Sequence, residues 1–480
     1  MGRTAFLCLS VVLVFAGAVL LMLNGCGGGS SPMPPPNPQK VQHVVIIFQE
    51  NRTPDNLFQD PVLYNPPPAG HGADVVQNGL NSQGKTVPLG LLDLGTAGSN
   101  PDNYDLGHGH YAFGVMYDHG KMDGADKVEV ICAPGAGGCP PPTPQFKYVN
   151  PADVQPYFAL AEQYTFADRM FQTNQGPSFP AHQFILSGTS APTASSNLFA
   201  SENPNPQSPT GCISPPSGTV LVIDPSGNQT PQYPCFEHPT LTDPLDAKGI
   251  TWRYYTPLAG FIWTAPNAIQ HMCGPNAQPP NGTSCVGPDW TGANPKVSIS
   301  QTQVLTDIAN GNLAQVVWVI PTGQASDHAS TNDGSGPSWV ASVVNAIGNS
   351  QYWSNTAIFI TWDDWGGWYD HVPPPKVLAN CAQWGCGYVY GFRVPLIVVS
   401  PYAKAAYISH VNHDFGSILK FIESNFGLPS LGYADANALD DLSDCFDFNQ
   451  TPIPFQTIQA PLSAEHFLND RRPATDPDDD

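Results

Sequence analysis

Two adjacent carboxylates, Asp363 and Asp364, end a β-rich apolar run and lead directly into a glycine-rich segment (residues 358–367, IFITWDDWGG). Paired carboxylates suit packing poorly but are good ligands for a hard divalent cation. The glycines allow the backbone to come close to a bound group. The pattern therefore predicts a metal site at the end of a strand, and a purely structural turn is the alternative.

A second polar segment follows the first apolar run of the folded part, residues 41–48. Glu50 and Asn51 come at the end of this run, and Thr53 and Pro54 suit the N-cap and the first position of a helix. An acidic oxygen ligand beside an amide group suits a metal that carries a bound phosphate. The alternative is a capped turn with solvated polar side chains.

Ser178 lies in a segment (residues 175–182, QGPSFPAH) that predicts the start of a helix, with Pro180 in its first turn. Free backbone N–H groups and the helix dipole favour an anion there. A serine in this place can attack phosphorus if a metal or a base lowers the pKa of its hydroxyl. The alternative is a plain N-cap, and we expect His182 in the same segment to be structural.

Several histidines lie in polar contexts, and most of these are rich in glycine or serine: His108 and His110 (DLGHGH), His271 (AIQHMC) and His328 (ASDHAS). Each alone is consistent with a surface or hydrogen-bonded histidine. Together they could neutralise phosphoryl oxygens or protonate a leaving group.

The elements that must position these residues alternate between strands and helices, which predicts an α/β layered sheet. Ligands bind beyond the carboxyl ends of the strands in such sheets, where most of the motifs are expected. Long loops rich in Pro, Gly, Asn and Ser are inserted at residues 77–151 and 191–240. The predicted strands cover residues 41–48, 249–256, 314–320, 357–361 and 394–399, and the predicted helices cover residues 339–347 and 414–426.

The charge of the chain excludes one class of partner. The 480 residues carry a formal net charge of −22, from 17 Lys and Arg against 39 Asp and Glu. Electrostatic capture of nucleic acid needs basic patches, so we expect no nucleic-acid partner. A polybasic mode of membrane binding is excluded for the same reason.

The N-terminus predicts export. Arg3, the apolar residues 5–23 and the ending Leu-Asn-Gly-Cys26 resemble a bacterial signal peptide with a lipobox, covering residues 1–25. Cys26 would carry a lipid that anchors the protein in a membrane, either in the periplasm or at the outer membrane and cell surface. A retained transmembrane anchor is the alternative. We expect a Gly/Ser/Pro-rich tether at residues 26–40, one folded domain at 41–450 and a polar tail at 451–480.

Cysteine usage fits an exported chain, where disulfides persist. Cysteines that are close in sequence suggest oxidised pairs, and Cys445 is then left over. Zinc is the competing interpretation, but no Cys-x-x-Cys occurs and the spacings are irregular. The suggested pairs are Cys132/Cys139, Cys212/Cys235, Cys273/Cys285 and Cys381/Cys386.

Taken together, the motifs resemble the bacterial phosphoesterase family of non-haemolytic phospholipases C and related acid phosphatases. The resemblance spans residues 40–447, and the ordered set is specific although no single motif is. The matching segments are ENRTPDNLF, DLGHGH, GKMDG, GPSFP, LSGTS, SDHAS, the long segment 345–375, GFRVPLIVVSPYA and SHVNHDFGSILKFIESNFGLP.

The resemblance implies an alkaline-phosphatase-like fold, a three-layer α/β/α sandwich with a mostly parallel central sheet and long loop insertions. It implies one divalent metal ion and makes Ser178 the nucleophile. The implied metal ligands are Glu50, Asn51, Ser178, Asp363 and Asp364, and the residues implied around the phosphoryl group are Asn51, His108, His271 and His328.

The chain departs from the family pattern at several positions. Phospholipase members have threonine where this chain has Ser178, which favours a phosphomonoesterase of the acid phosphatase type. The usual Asp-Glu pair is Asp363-Asp364, and Ala181-His182 replaces the usual Asn-Arg. A phospholipase C acting on phospholipids is the alternative, and a non-catalytic surface lipoprotein is the second alternative. The sequence leaves the identity of the metal and the oligomeric state open.

Overall fold

The computed structural model describes residues 40–65, 72–95, 104–133, 135–375 and 389–474. The predicted signal peptide, the predicted lipidation site Cys26, nearly all of the tether and the suggested pair Cys381/Cys386 lie outside these residues. None of the helices in the described residues is both long enough and apolar enough to cross a membrane.

The strands alternate with helices along the chain, as the sequence predicts. The strands are β1 (His43–Gln49), β2 (Asn78–Leu80), β3 (Thr86–Pro88), β4 (Gly90–Leu92), β5 (Tyr104–Leu106), β6 (Val130–Cys132), β7 (Lys147–Val149), β8 (Thr165–Phe171), β9 (Phe199–Ala200), β10 (Val220–Ile223), β11 (Gln229–Gln232), β12 (Trp252–Tyr255), β13 (Val297–Ser298), β14 (Val316–Val319), β15 (Thr356–Trp362), β16 (Arg393–Val399), β17 (Tyr407–Ser409) and β18 (His413–Asp414).

The helices include several single turns near the strand ends. They are α1 (Pro54–Leu57), α2 (Pro61–Tyr64), α3 (His110–Tyr117), α4 (Gln155–Gln163), α5 (Ser178–Ser187), α6 (Thr242–Lys248), α7 (Gln270–Cys273), α8 (Gln303–Ala309), α9 (Gly336–Gly348), α10 (Phe415–Phe426) and α11 (Ala464–Asn469). Short 3₁₀ helices cover Asp118–Gly120, Ala125–Lys127, Gly211–Ile213, Ala265–Ala268, Trp353–Asn355 and Ser443–Cys445.

A nine-stranded sheet forms the centre of the domain, in the order β13-β12-β14-β1-β15-β16-β8-β17, with β18 also paired to β8. Only β16 runs against its neighbours β15 and β8, and the other pairs in this sheet are parallel. Strand β16 is antiparallel to β15 on one side and to β8 on the other. Strand β8 therefore runs in the same direction as β1 and β15. The carboxyl ends of these three strands therefore meet at one edge.

Helices cover both faces of this sheet. Phe359 of β15 contacts Phe421 of α10, whereas Trp362 of the same strand contacts Tyr157 of α4. Side chains three positions apart on a strand point to opposite faces, so α10 and α4 lie on opposite sides. Helix α5 packs with α10, and α9 packs with both α4 and α8. The predicted three-layer α/β/α architecture with a mostly parallel sheet is confirmed.

The predicted elements lie close to the observed ones, with ends that differ by up to three residues. Helix α10 carries a capping box in which Asp414 accepts from the backbone N–H of Ser417, as expected for a cap. Strand β8 was not predicted, because its sequence (TFADRMF) interrupts the apolar pattern with Asp168 and Arg169. Its position decides where Ser178 lies.

The predicted insertions contain small sheets of their own, β2–β3, β4–β7, β5–β6 and β11-β10-β9. Disulfides join Cys132 to Cys139, Cys212 to Cys235 and Cys273 to Cys285, so these three suggested pairs are confirmed. Cys445 is buried and free. The expected polar tail is packed in part, because Phe467 of α11 is buried against Trp339.

Candidate functional site

Glu50 and Asp363 lie side by side because they follow neighbouring parallel strands. Gln49 of β1 is in register with Trp362 of β15, and the backbone N–H of Asp363 donates to the carbonyl of Gln49 over 3.0 Å. Both carboxylates are fully buried. The sheet register, rather than any local turn, therefore brings the Glu50 motif and the Asp363-Asp364 motif together.

A close approach of two loops fixes Asn51 against the carboxylates. Asn51 has a positive φ of 61°, which asparagine tolerates, and its N–H donates to Asp363 Oδ1 over 3.0 Å. The N–H of Asp364 donates to the same oxygen over 2.7 Å. Gly366 also has a φ of 61°, and a Cβ there would lie 2.5 Å from that of Asn51. Glycine is required at this position on both grounds.

Helix α5 begins at Ser178, with Pro177 as its N-cap, and follows β8 at the same sheet edge. The hydroxyl Oγ of Ser178 lies 3.4 Å from Glu50 Oε2 and 3.5 Å from Asp364 Oδ2. These separations are long for hydrogen bonds but suit atoms that surround a common cation. The structure thus brings together Glu50, Asn51, Ser178, Asp363 and Asp364, as predicted.

His182 belongs to the same cluster, which the sequence interpretation did not foresee. It lies four residues after Ser178, so the two side chains share one face of α5. Its Nε2 is 3.2 Å from Glu50 Oε1 and 3.9 Å from Asp363 Oδ2. Burial lowers the pKa of this imidazole to about 4. The spacing of Ser178 and His182 on a predicted helix was the signal that could have identified it.

The donor atoms fit a divalent cation. The oxygens Asp363 Oδ2 and Asn51 Oδ1 are buried and accept no hydrogen bond. Donor atoms of Glu50, His182 and Asp363 all lie within 4.8 Å of one another. Burying an ionised carboxylate is costly unless a counter-charge is present, and this set provides what a metal ion requires.

His108 and His328 lie together beside Asn51. The two rings are 5.9 Å apart between centroids, and the Asn51 amide nitrogen is 3.3 Å from His108 Nε2. The Nδ1 atoms face the backbone carbonyls of Leu106 and Ala329 at 2.7 Å and 2.6 Å. A carbonyl can only accept, so each Nδ1 carries a proton and donates it to the backbone.

Asp327 holds the loop that carries His328. Its Oδ2 accepts from the hydroxyl of Tyr157 and from the indole of Trp362, both over 2.9 Å. Buried Arg52 donates twice to the backbone carbonyl of Asp327, over 2.9 Å and 2.7 Å. Side chains from α4, from β15 and from the Glu50 motif therefore set the position of His328.

The described polar contacts of His271 lie with two other acidic residues. Its ring contacts Glu237 over 2.9 Å and Asp243 over 3.4 Å, and its side chain is 34% exposed. The hydrogen bond to Asp243, helped by Glu237, raises the pKa of His271 to about 9. Its described hydrogen bonds and ion pairs involve none of the other predicted site residues, so its predicted role at the phosphoryl group gains no support from these contacts.

A second cluster of side chains that could hold a metal ion consists of Asp55, Asp370 and His371. Here the charges are already matched, because buried Arg393 donates to Asp370 over 3.0 Å and lies 3.5 Å from Asp55. His371 Nδ1 is 2.7 Å from Asp55 Oδ2. This cluster joins three family motifs to one another and has a structural role.

The side chains of the site are buried, and a cavity borders one of them, His108. Glu50, Asn51, Ser178, Asp363, Asp364, His108, His182 and His328 are all buried. A cavity of about 250 Å³ borders His108 and is also lined by Gly109, Tyr111 and Glu202. Tyr111 is 83% exposed, so the cavity opens toward solvent at this side.

Comparison with known proteins agrees with the motifs. The non-hemolytic phospholipase C of Burkholderia pseudomallei is 25% identical over 85% of this chain and 59% of its own length. Phospholipase C B of Mycobacterium tuberculosis is 23% identical over 86% of this chain and 79% of its own length. The chain spans 59% of the length of the phospholipases of B. pseudomallei and Pseudomonas aeruginosa.

Among solved structures, a Vibrio parahaemolyticus protein of the alkaline phosphatase superfamily matches with a TM-score of 0.32 and 12% identity. The match covers 59% of this chain and 64% of that one. The model of the Phosphoesterase family matches residues 41–429, which is most of the sequence. The chain belongs to the Phosphoesterase family.

Proposed function

We propose that the protein is a metal-dependent phosphoesterase in which Ser178 is the nucleophile. The observation that carries the proposal is the position of the Ser178 hydroxyl, at the start of α5 and 3.4 Å and 3.5 Å from the carboxylates of Glu50 and Asp364. Family membership makes the phosphoester bond the expected target. The same arrangement would serve no purpose in a simple helix cap.

Glu50, Asn51, Ser178, Asp363 and Asp364 would hold the metal. When bound, a divalent cation lowers the pKa of a coordinated hydroxyl and polarises a phosphoryl oxygen. Ser178 attacks phosphorus in line with the leaving oxygen and forms a phosphoseryl intermediate. The positive end of the α5 dipole, at Ser178, would favour the negative charge on the phosphoryl oxygens. Water then attacks the phosphoserine and releases phosphate.

His108 is the better candidate for the acid that protonates the leaving oxygen, with His328 as the alternative. Its Nε2 faces Asn51, and its ring borders the cavity that opens toward solvent. A leaving group in that cavity would be next to His108. Asn51, His328 and His271 would then contact the phosphoryl oxygens.

Ser178 favours a phosphate monoester, because the family resemblance has threonine at this position in the phospholipase members. A substrate panel with the soluble domain tests this: p-nitrophenyl phosphate, p-nitrophenyl phosphorylcholine and intact phospholipid, each across pH and divalent metals. Hydrolysis of the monoester at least tenfold faster than that of the diester is the expected result. Faster cleavage of the diester or of phospholipid would contradict it.

A phospholipase C is the second candidate, and the names of the relatives favour it. Diesters need room for two substituents on phosphorus, whereas monoesters need room for one. A non-catalytic surface lipoprotein is the third candidate. It predicts that the purified protein binds no divalent cation and hydrolyses none of the substrates above.

Export is also part of the proposal. The disulfides of the described residues fit an oxidising compartment, either the periplasm or the cell surface. We propose that Cys26 carries the lipid anchor. Mass spectrometry of the mature N-terminus tests this, since an acylated Cys26 is expected and an unprocessed Met1 would point to a retained anchor.

A further inference from the structure

We propose that His182 is a direct nitrogen ligand of the metal, so that the site selects transition-metal ions such as Zn²⁺ or Fe²⁺ over Mg²⁺ and Ca²⁺. The inference rests on the proposed function, because it concerns the same ion. It goes further in adding a ligand that the sequence interpretation expected to be structural. It also assigns the class of ion that the site takes.

The separations around His182 support this role. Two ligands that are each about 2.1 Å from one ion lie between about 3.0 Å and 4.2 Å apart. His182 Nε2 is 3.2 Å from Glu50 Oε1 and 3.9 Å from Asp363 Oδ2, within this range. Ser178 Oγ lies 3.4 Å from the other oxygen of Glu50, so the same ion could contact the serine as well.

The surroundings of His182 leave its nitrogen few other partners. Its ring packs 5.0 Å from Phe48 and 6.3 Å from Trp263, measured between ring centroids. Its described hydrogen bonds and ion pairs are with Glu50 and Asp363 only. These aromatic walls orient Nε2 toward the carboxylates, where Asp363 Oδ2 accepts no hydrogen bond.

One nitrogen among oxygen ligands changes which ions the site prefers. Mg²⁺ and Ca²⁺ are hard cations that take oxygen ligands, whereas imidazole suits Zn²⁺, Fe²⁺, Ni²⁺ and Cu²⁺. An arginine at position 182, which the family pattern has there, could not bind a cation at all. The replacement by histidine therefore alters the chemistry of the metal site of this chain in particular.

Electron spin echo envelope modulation of Mn²⁺ bound to the metal-free protein tests the proposal without any substrate. Wild-type protein is expected to show ¹⁴N modulation from a coordinated imidazole, and His182→Gln is expected to lose it while still binding Mn²⁺. His238→Gln is the matched control, since His238 is equally buried and its pKa is also lowered to about 4 by burial. The control is expected to keep the modulation.

Wild-type protein that binds Mn²⁺ without ¹⁴N modulation would overturn the proposal and would leave His182 as a hydrogen-bond donor to Glu50. This result does not depend on whether the variant folds. Competition between Zn²⁺ and Mg²⁺ provides a second measurement. His182→Gln is expected to reduce the preference for Zn²⁺ over Mg²⁺ by about 100-fold or more. Loss of a residue that only hydrogen-bonds to a metal ligand already lowers metal affinity or activity by about 10–100-fold. An unchanged preference would also overturn the proposal.

The failure of this inference can be distinguished from the failure of the proposed function. A protein that shows the nitrogen signal but hydrolyses no phosphoester would refute the function and keep His182 as a ligand. A protein that hydrolyses phosphoesters with Mn²⁺ but shows no nitrogen signal would refute only the role of His182.

Discussion

Ser178 and His182 lie one helical turn apart on α5 and approach the two oxygens of a single carboxylate. Ser178 Oγ is 3.4 Å from Glu50 Oε2, and His182 Nε2 is 3.2 Å from Glu50 Oε1. The first turn of the helix thus presents a hydroxyl and an imidazole to the same ion site. Glu50 is the residue that relates the proposed nucleophile to the proposed nitrogen ligand.

Replacement of Ser178 by alanine removes the proposed nucleophile. We expect hydrolysis of p-nitrophenyl phosphate to fall by at least about 1,000-fold, because the covalent step is lost. Ser187→Ala is the matched control, since Ser187 is buried at the other end of the same helix and its hydroxyl has no hydrogen-bond partner. Unchanged turnover in Ser178→Ala would contradict the assignment.

Removal of the metal should lower the free energy of unfolding of the wild-type protein. Asp363→Asn should abolish this dependence of stability on the metal. An ion present at about 100 times its dissociation constant raises the free energy of unfolding by about 2.7 kcal/mol. Without metal, Asp363→Asn should be at least as stable as wild type, because one of several neighbouring buried carboxylates has lost its charge. Thermal unfolding with chelator and with added Mn²⁺ measures both effects, and a metal response that persists in Asp363→Asn would contradict the ligand set.

His108→Gln tests the identity of the acid. Protonation matters more for a basic leaving group, so we expect a loss of about 100-fold or more in kcat for phenyl phosphate and a smaller loss for p-nitrophenyl phosphate. His328→Gln should lower both rates in equal proportion, because His328 would contact only the phosphoryl oxygens. The opposite pattern in the two variants would assign the acid to His328.

Arg393→Gln should destabilise the domain by about 3–5 kcal/mol, since it leaves buried carboxylates without their counter-charge. Arg393 donates to Asp370 and also to the backbone carbonyls of Asp74 and Asp168. Lys121→Gln, which breaks an exposed ion pair with Asp118, serves as the control and should not shift the midpoint of urea unfolding. An equally small effect of Arg393→Gln would contradict the structural role of this cluster.

The stability contributed by His371 should depend on pH. Burial alone lowers the pKa of an imidazole, but hydrogen bonds to Asp55 and Asp74 outweigh it and raise the pKa of His371 from 6.5 to about 10. Because the pKa is raised in the folded protein, His371 contributes its full stabilisation below pH 6.5. This contribution disappears as the pH rises to about 10. The difference in free energy of unfolding between wild type and His371→Asn should therefore shrink over this window. A difference that grows with pH would contradict the assignment.

Periodicity was enough to predict an α/β layered sheet, and the family resemblance implied the three layers and the candidate site residues. Short apolar runs alternating with helical patterns indicate buried parallel strands, and polar residues after such strands must meet at one sheet edge. The positions of Glu50 and Asp363 follow from this rule, whereas the position of Ser178 depends on β8, which was not predicted. Local cap chemistry likewise predicted Thr53 as the N-cap of α1, whose hydroxyl accepts from Asn56.

The rest was decided by tertiary contacts between residues that are distant in sequence. The sequence by itself determined which side chains end each strand, because a strand end is a local pattern. Only the register of β1 with β15 and the direction of β8 decided that His182 faces Glu50 and Asp363, whereas His271 pairs with Glu237 and Asp243. Side-chain identity sets what chemistry is possible, and long-range packing selects which of these side chains reach one another.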